Sequence, residues 1–354
     1  MRRGVVDGIE VVEFCLPYSN RDGFLKRTWT FLRFSLRSVR FALTSRYDLL
    51  FATSTPLTAG IPGICMKLLR RRKPFVFEVR DLWPELPREM GVITNPLVLK
   101  AMDILEWMSY HTANACVGLS PGIVEGIQRR GIPAGRTLMI PNGCDLDLFQ
   151  RGAEQSDSFP GTSANDLVAV FTGTHGIANG LDSVLDAAGV LRDRNRGDIR
   201  LVFIGDGKLK SRLLERAQKE QLESCIFLDP VAKTRLAKLV ACTNAGLMVL
   251  SNCPAFRYGT SPNKFFDYIA AGLPVLNNYP GWLADMIQEH QCGLVVPPED
   301  PEAFADALVY LAEHPEQRHA MGRNGRRLAE QKFSRADLSN RLVDFLEEVH
   351  EKVR

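Results

Sequence analysis

The chain has 354 residues, 45% of them hydrophobic and 24% charged, with a formal charge of +3, which is more than one ordinary core needs and implies two domains. That balance excludes a disordered or low-complexity chain and a strongly basic nucleic-acid binder. The eight cysteines are scattered, with no Cys-x-x-Cys pair and no zinc spacing, which excludes a disulfide-stapled secreted domain and points to reduced thiols in the cytosol.

The polar N-terminus and the absence of any apolar run of spanning length predict neither a signal peptide nor a membrane-crossing helix. Residues 1–150 carry 20 Lys+Arg and 14 Asp+Glu, a net of +6 that leaves −3 for the remainder. A basic first half favours a partner bearing phosphates. Val5–Leu16 alternates weakly and reads as one or two strands. Phe24–Thr44 reads as a helix with Leu25, Trp29, Leu32, Leu36, Val39 and Leu43 on one stripe and Lys26, Arg33, Arg37 and Arg40 on another. That pattern fits either an interfacial helix on an anionic membrane or a core-packed helix with a solvated basic face. Nucleic acid is not expected, because the interleaved aromatics of a stacking surface are missing.

Tyr47–Ala52 predicts a buried strand, followed by a short helix ending in the basic run Arg70–Lys73. Pro74–Val79 is a second buried strand, and Arg80-Asp-Leu-Trp-Pro-Glu85 follows its carboxyl end, the edge where open α/β sheets bind ligands. A helix over Pro96–His111, a strand at Ala115–Leu119, a helix opened by Ser120-Pro-Gly and a strand at Thr137–Ile140 complete the first unit. Residues 151–166 are polar, rich in Gly and Ser and aperiodic, and read as the linker. The second unit (167–333) alternates in the same way. Leu167–Gly173 is a strand running into Gly173-Thr-His-Gly176, and Ile199–Ile204 is closed by Gly205-Asp-Gly207. Further strands are expected at Cys225–Leu228, Ala245–Leu250, Pro274–Asn277 and Gly293–Val296, with helices between. Ser334-Arg-Ala-Asp337 caps a last helix, to 354. Such alternation implies parallel sheets with helices on both faces.

Ser261-Pro-Asn-Lys-Phe-Phe-Asp-Tyr-Ile-Ala-Ala-Gly-Leu-Pro-Val275 is the most informative stretch. Ser261 can cap a helix with Pro262 at its first position, and Gly272 and Pro274 stop it. Asn263 and Lys264 occupy a first turn without an acid, where a cation opposes the helix dipole. A lysine at a helix start suits a bound phosphate or diphosphate. Asp267, three residues on, shares its face and could accept the hydroxyls of a ribose. The alternative is a surface Lys–Asp pair on an ordinary capped helix.

Phe77-Glu-Val-Arg-Asp-Leu-Trp-Pro-Glu85, Ile140-Pro-Asn-Gly-Cys-Asp145 and the 261–275 stretch, with the Gly173 turn and Phe203-Ile-Gly-Asp-Gly207, together resemble the family-four glycosyltransferases. The likeness runs from about residue 7 to the C-terminus and is similar to a branch of bacterial surface-polysaccharide enzymes that transfer N-acetylated hexosamines or deoxyhexosamines such as N-acetylfucosamine. It implies an α/β chain of two facing Rossmann-like domains (the GT-B fold), with the first domain (1–150) on the acceptor side and lacking its usual first strand and Gly-rich loop. The second domain would bind the nucleotide-sugar, and the helix 334–354 would cross back to the first.

Carried over by position, the resemblance implies that Asp267 holds the ribose, and that Lys264 and the helix start, with Ser261 and Asn263, meet the diphosphate. Gly173 lets backbone approach the phosphates, with Thr174, His175 and Asn179 in the same turn. Arg80 and Asp81 face the transferred sugar, Glu85 and Ser120 lie on the acceptor side, and Asn142, Gly143 and Asp145 belong to the hinge. Three positions depart from the pattern. The family's first acid falls on Gly259, and its two turn cations fall on Thr174 and Asn179, leaving Lys264 and Arg257 to replace them. The implied reaction is retaining transfer from a UDP-sugar, without metal or cofactor, to a polyprenyl-linked or saccharide acceptor. The departing phosphate, or Asp81, would take the acceptor proton. The protein is expected in the cytoplasm, peripheral on the inner face of the plasma membrane. The alternatives are a catalytically impaired partner protein and a UDP-sugar 2-epimerase.

Overall fold

A computed structural model describes residues 1–19, 23–69, 73–149 and 159–353. Arg70–Arg72 of the basic run and residues 151–158 of the expected linker lie outside the described residues. The chain divides into two compact units, the first comprising Met1–Gly118, Ile123–Leu138 and Asp344–Arg354, the second Leu119–Gly122 and Met139–Val343.

The first unit opens with an antiparallel ribbon of β1 (Arg2–Val6) and β2 (Ile9–Glu13), exposed along its whole length. Helix α1 (Phe24–Thr44) follows, with Phe14 set edge-on against Phe34 and Phe41 at 5.7 and 5.6 Å. The helix bounds match expectation, and the stripe is split, with Leu32, Val39 and Leu43 half-buried and the other three positions exposed. Leu25, Trp29 and Leu36 are 82%, 62% and 64% exposed, while the buried positions are the small residues Ser35 and Ala42. Helix α1 packs against α2 (Ile61–Leu69).

Strand β3 (Leu50–Thr53) and β4 (Phe75–Val79) then pair in parallel, followed by α3 (Glu85–Glu89), α4 (Pro96–Thr112), β5 (Ala115–Gly118), α5 (Pro121–Arg129) and β6 (Thr137–Met139). The sheet order is β3-β4-β5-β6. Strand β3, expected to be buried, is half-exposed because it is an outer strand with a neighbour on one side only. Asn95 caps α4 by accepting from Leu97 N and Val98 N, which leaves Pro96 at the position where a missing N–H costs nothing.

The second unit contains β7 (Leu167–Thr172), α6 (Asp182–Asp193), β8 (Ile199–Ile204), α7 (Lys210–Lys219), β9 (Cys225–Leu228), α8 (Lys233–Ala241), β10 (Ala245–Met248), α9 (Pro254–Tyr258), α10 (Asn263–Ala270), β11 (Val275–Asn277), α11 (Trp282–Glu289) and β12 (Gly293–Val295). Helices α12 (Pro301–Glu313), α13 (Pro315–Lys332) and α14 (Arg335–Val353) close the chain. The sheet is parallel throughout, in the order β12-β11-β10-β7-β8-β9. This is the doubly wound order, whose direction reverses between β7 and β10, so ligands are expected beyond the carboxyl ends of those two strands. All six residues of β7 are buried, as a central strand requires, and Phe171, Leu201, Phe203, Leu247 and Leu308 belong to the core around it. Ser334 caps α14, accepting from Asp337 N at 3.5 Å.

Candidate functional site

At the reversal point of the second sheet, β7 ends in Gly173, whose φ of 141° is a conformation that side-chain-bearing residues avoid. The turn is locked backbone to backbone against the loop after β8. Gly173 N donates to Ile204 O (3.0 Å), His175 N to Asp206 O (3.0 Å) and Leu209 N to His175 O (2.9 Å). A Cβ on Gly205 would lie 1.9 Å from Gly173 O, and one on Gly207 2.4 Å from His175 O, so only glycines admit this seam.

Helix α10 is fixed above the same strand by Tyr268, whose hydroxyl accepts from Thr172 N at 2.9 Å. The Tyr268 ring covers Gly246 of β10, where a Cβ would fall 2.3 Å from it. The helix stops in a left-handed turn at Gly272 (φ 65°), with Leu273 N donating to Tyr268 O and Gly272 N to Ile269 O, both at 3.0 Å. It starts differently from expectation. Pro262 is extended and occupies the capping position, the first helical residue is Asn263, and no side chain caps it. Ser261 Oγ instead accepts from Asn142 N at 3.2 Å, and Asn142 Nδ2 donates to Ser261 O. The first turn is therefore uncapped and without acid, with Asn263 exposed.

Lys264 and Asp267 have different partners within the chain. Lys264 Nζ donates to Asn179 Oδ1 at 2.6 Å, sits 4.1 Å from the Phe171 ring centroid and comes within 3.8 Å of where a Gly173 Cβ would be. Asn179 in turn donates to Thr174 O at 2.7 Å, tying the lysine into the glycine turn. Burial pushes the Lys264 ammonium down to about 7, since it has an amide oxygen and an aromatic face beside it but no carboxylate partner among the described residues. Asp267, 8% exposed, lies 3.6 Å from Lys233 of α8. Burial raises its carboxyl to about 6, with Lys233 pulling the other way and Asp145 adding to the rise.

Asp145 accepts from both Lys233 and Arg335, and although burial opposes ionisation, these bonds hold its carboxyl below the usual range. Asp145-Leu-Asp147 has the Asp-x-Asp spacing that the sequence reading passed over, but Asp145 is already engaged by two cations. No group of three or more His, Cys, Asp or Glu side chains is arranged to hold a metal among the described residues.

His175 is fully buried, its ring among Phe171, Phe203 and Phe227 at 6.0–6.5 Å, and neither ring nitrogen has a hydrogen-bond partner among the described residues. Burial depresses it to about 4, with Lys210 contributing next, so it is a neutral core residue under the turn rather than a donor at the surface. Arg257 is exposed on α9 and its side chain makes no hydrogen bond or ion pair among the described residues. Gly259, where an acid was expected, is buried and its N donates to Ala255 O. Ser120, expected on the acceptor side, is buried in the second unit and donates to Tyr258 O at 3.0 Å.

In the first unit, Arg80 and Asp81 follow β4. Arg80 N donates to Ser54 Oγ (2.9 Å), and Asp81 Oδ2 accepts from Thr55 Oγ1 (3.0 Å), with burial raising its carboxyl. Glu85 opens α3 and lies 3.9 Å from Arg129. The sequence reading missed Tyr268, Lys233 and the bridging role of Asn179. The Gly205/Gly207 doublet was the visible signal for the seam.

Residues 2–143 match the model of the glycosyl transferase 4-like domain, and residues 154–328 that of glycosyl transferases group 1. The chain is 27% identical over 244 residues to the D-rhamnosyltransferase WbpZ of Pseudomonas aeruginosa, covering 69% of this chain and 61% of that protein. It is 23% identical over 247 residues to O-antigen chain mannosyltransferase C of Escherichia coli, covering 69% of this chain and 63% of that one. The match thus spans about six-tenths of these curated relatives. Among solved structures, a sucrose-phosphate synthase from Thermosynechococcus elongatus superposes with a TM-score of 0.79 at 17% identity, covering 99% of this chain and 85% of that one. HepE of Anabaena, solved with UDP and glucose, gives 0.69 at 16% identity, covering 92% and 83%. By sequence models that match most of its length and by a fold shared along nearly all of it, the chain belongs to the glycosyltransferases of the GT-B fold.

Proposed function

We propose that the chain moves a sugar from a UDP-sugar to a lipid-linked or saccharide acceptor, with retention at the transferred carbon, in cell-surface polysaccharide biosynthesis. The observation that carries this reading is the Lys264 ammonium, held by Asn179 against the Gly173 turn at the carboxyl end of β7. As the bond from sugar C1 to the diphosphate breaks, negative charge grows on the leaving oxygens. A preorganised cation and the open first turn of α10 are suited to stabilise that charge, and Arg257 is a second cation for the same task. Asp267 would accept the ribose hydroxyls, exchanging its contact with Lys233 for them.

Arg80 and Asp81 would face the transferred sugar, with the departing phosphate, or Asp81, taking the acceptor proton. The relatives named for D-rhamnose and O-antigen mannose transfer, and the neighbour solved with UDP and glucose, support a nucleotide-linked hexose as donor. An N-acetylated hexosamine or deoxyhexosamine is our choice from the combined resemblance of the 77–85, 140–145 and 261–275 stretches. The exposed apolar residues of α1, beside Arg33, Arg37 and Arg40, would rest on an anionic membrane that presents the acceptor.

The test is UDP-sugar consumption with and without a polyprenyl-linked saccharide. Turnover only with acceptor is expected. Turnover without acceptor would indicate epimerisation, and UDP binding without any turnover would leave a non-catalytic partner.

A further inference from the structure

The place of the Lys264 ammonium depends on a single amide. Lys210 provides the contrast, since it too stands in the first turn of a helix, at the start of α7. Its Nζ is fully used, donating to Gly205 O, Leu228 O and Asp229 Oδ1 at 2.7–3.0 Å. Among the described residues Lys264 Nζ has one hydrogen-bond acceptor, Asn179 Oδ1. Whatever fixes Asn179 therefore fixes the cation.

Asn179 ends a single tight turn, Ile177–Asn179, that follows the glycine turn of β7. The carbonyls of this turn are met by the loop after β10. Ser251 N donates to Ala178 O at 3.0 Å, and Ser251 Oγ lies 3.0 and 3.1 Å from Ile177 O and Ala178 O, where its one proton can serve either. The approach is close. A Cβ on Gly180, whose φ is 53°, would lie 2.9 Å from the Ser251 Cα.

That loop is pinned in turn. Strands β10 and β11 pair as far as Met248 and Asn277. One residue beyond, the Asn278 side chain continues the ladder in place of backbone, its Oδ1 accepting from Leu250 N at 3.0 Å and its Nδ2 donating to Leu250 O at 3.2 Å. Asn278 is 3% exposed, so an apolar residue there would leave both groups of Leu250 buried and unpaired. The contacts run unbroken from Asn278 through Leu250 and Ser251 to the 177–179 turn, and so to Lys264.

We propose that Ser251 and Asn278 are positioning residues for the transfer reaction, holding the Ile177–Asn179 turn so that Asn179 presents the Lys264 ammonium to the diphosphate. Their part in the reaction rests on the reading of Lys264 given above, whereas the placement of the lysine can be measured without ligand. Lysine-selective carbon NMR, with the Lys264 signal identified by its loss in Lys264→Met, follows the ammonium as it titrates near 7. His175, beneath the same glycine turn, is held to about 4 and keeps one charge state from pH 6 upward. Ser251→Ala and Asn278→Ala should each loosen the turn, let water reach the lysine and raise its titration by about one pH unit. At pH 6, where the ammonium is charged in every form, affinity for pyrophosphate should fall about fivefold. Ser251→Thr keeps the hydroxyl and should restore both readings. Leu308→Ala, in the core under α12, should lower the melting temperature and leave both unmoved, which separates placement from loss of stability. If Asn278→Ala does not fold, Ser251→Ala decides, because that side chain is only half-buried. An unmoved Lys264 titration in Ser251→Ala, a moved one with unchanged pyrophosphate affinity, or the same shift in Leu308→Ala would overturn the proposal. Wild-type protein that binds neither pyrophosphate nor UDP, beside a titration that moves as expected, would refute the donor reading alone.

Discussion

Lys264 spends its charge on an amide oxygen and a ring face, and its depressed basicity sets a pH dependence with a definite sign. In the free protein the ammonium titrates near 7, and a bound diphosphate would return it toward the ordinary lysine range. Binding a UDP-sugar then takes up a proton above neutrality, so affinity should fall as pH rises from 7 to 9, by up to about tenfold per unit. Calorimetry at pH 8 in buffers of different ionisation enthalpy should reveal that uptake. Lys264→Met should abolish the uptake and weaken binding by about 10- to 100-fold, the worth of a charge-assisted bond. Pyrophosphate-independent binding, with the same affinity in the variant, would remove Lys264 from the site. Without nucleotide the sign reverses in its consequence. Unfolded chains keep this proton up to the ordinary lysine range, so the folded state gains stability as pH rises from 7 toward that range. The lysine and Gly173 were legible in sequence because a cation in a first turn and a glycine after an apolar strand break local expectations. Asn179 was read as a turn residue standing where a cation was expected, and its hold on Lys264 was not legible because that contact spans 85 positions.

At the scale of elements, α10 and the turns after β7 and β8 form one assembly, joined by the Tyr268–Thr172 bond and the glycine seam. Gly205→Ala tests it. The added methyl meets Gly173 O and the backbone sits at φ 155°, so the two turns must separate. A loss of about 1–3 kcal/mol in urea unfolding is expected, the usual cost of overpacking. UDP affinity should fall as well, although Gly205 is not assigned to the ligand. Unaltered UDP binding would show that the seam is not needed for the site. The order of strands and helices was readable almost throughout, because period-two and period-3.6 patterns alternate with glycine and proline stops. Burial of whole faces was less so. The apolar stripe of α1 obeyed helical spacing, but how deeply each position is buried depends on the neighbouring elements, and the fully buried positions are Ser35 and Ala42 while Leu25, Trp29 and Leu36 stay exposed. Ser261 misled for a related reason, since its hydroxyl was claimed by Asn142 far off in sequence.

For the molecule as a whole, no described helix is long and apolar enough to cross a membrane, while Leu25, Trp29 and Leu36 stand exposed on a helix that also carries Arg33, Arg37 and Arg40. Sedimentation with phosphatidylglycerol vesicles should retain the protein at low salt. Reversing the three arginines to glutamate should reduce the bound fraction at least fivefold, and Leu25→Ser/Trp29→Ser should reduce it without altering the salt dependence. Equal retention of all forms would end the membrane reading. The last of the boundaries between the two units falls after Val343, partway along α14. Residues 344–353 of α14 are thus grouped with the first unit and its earlier residues with the second. Clipping the chain after Val343 should loosen the amino-terminal half, from which the cut is remote in sequence, while leaving the body that carries Lys264 largely protected from proteolysis.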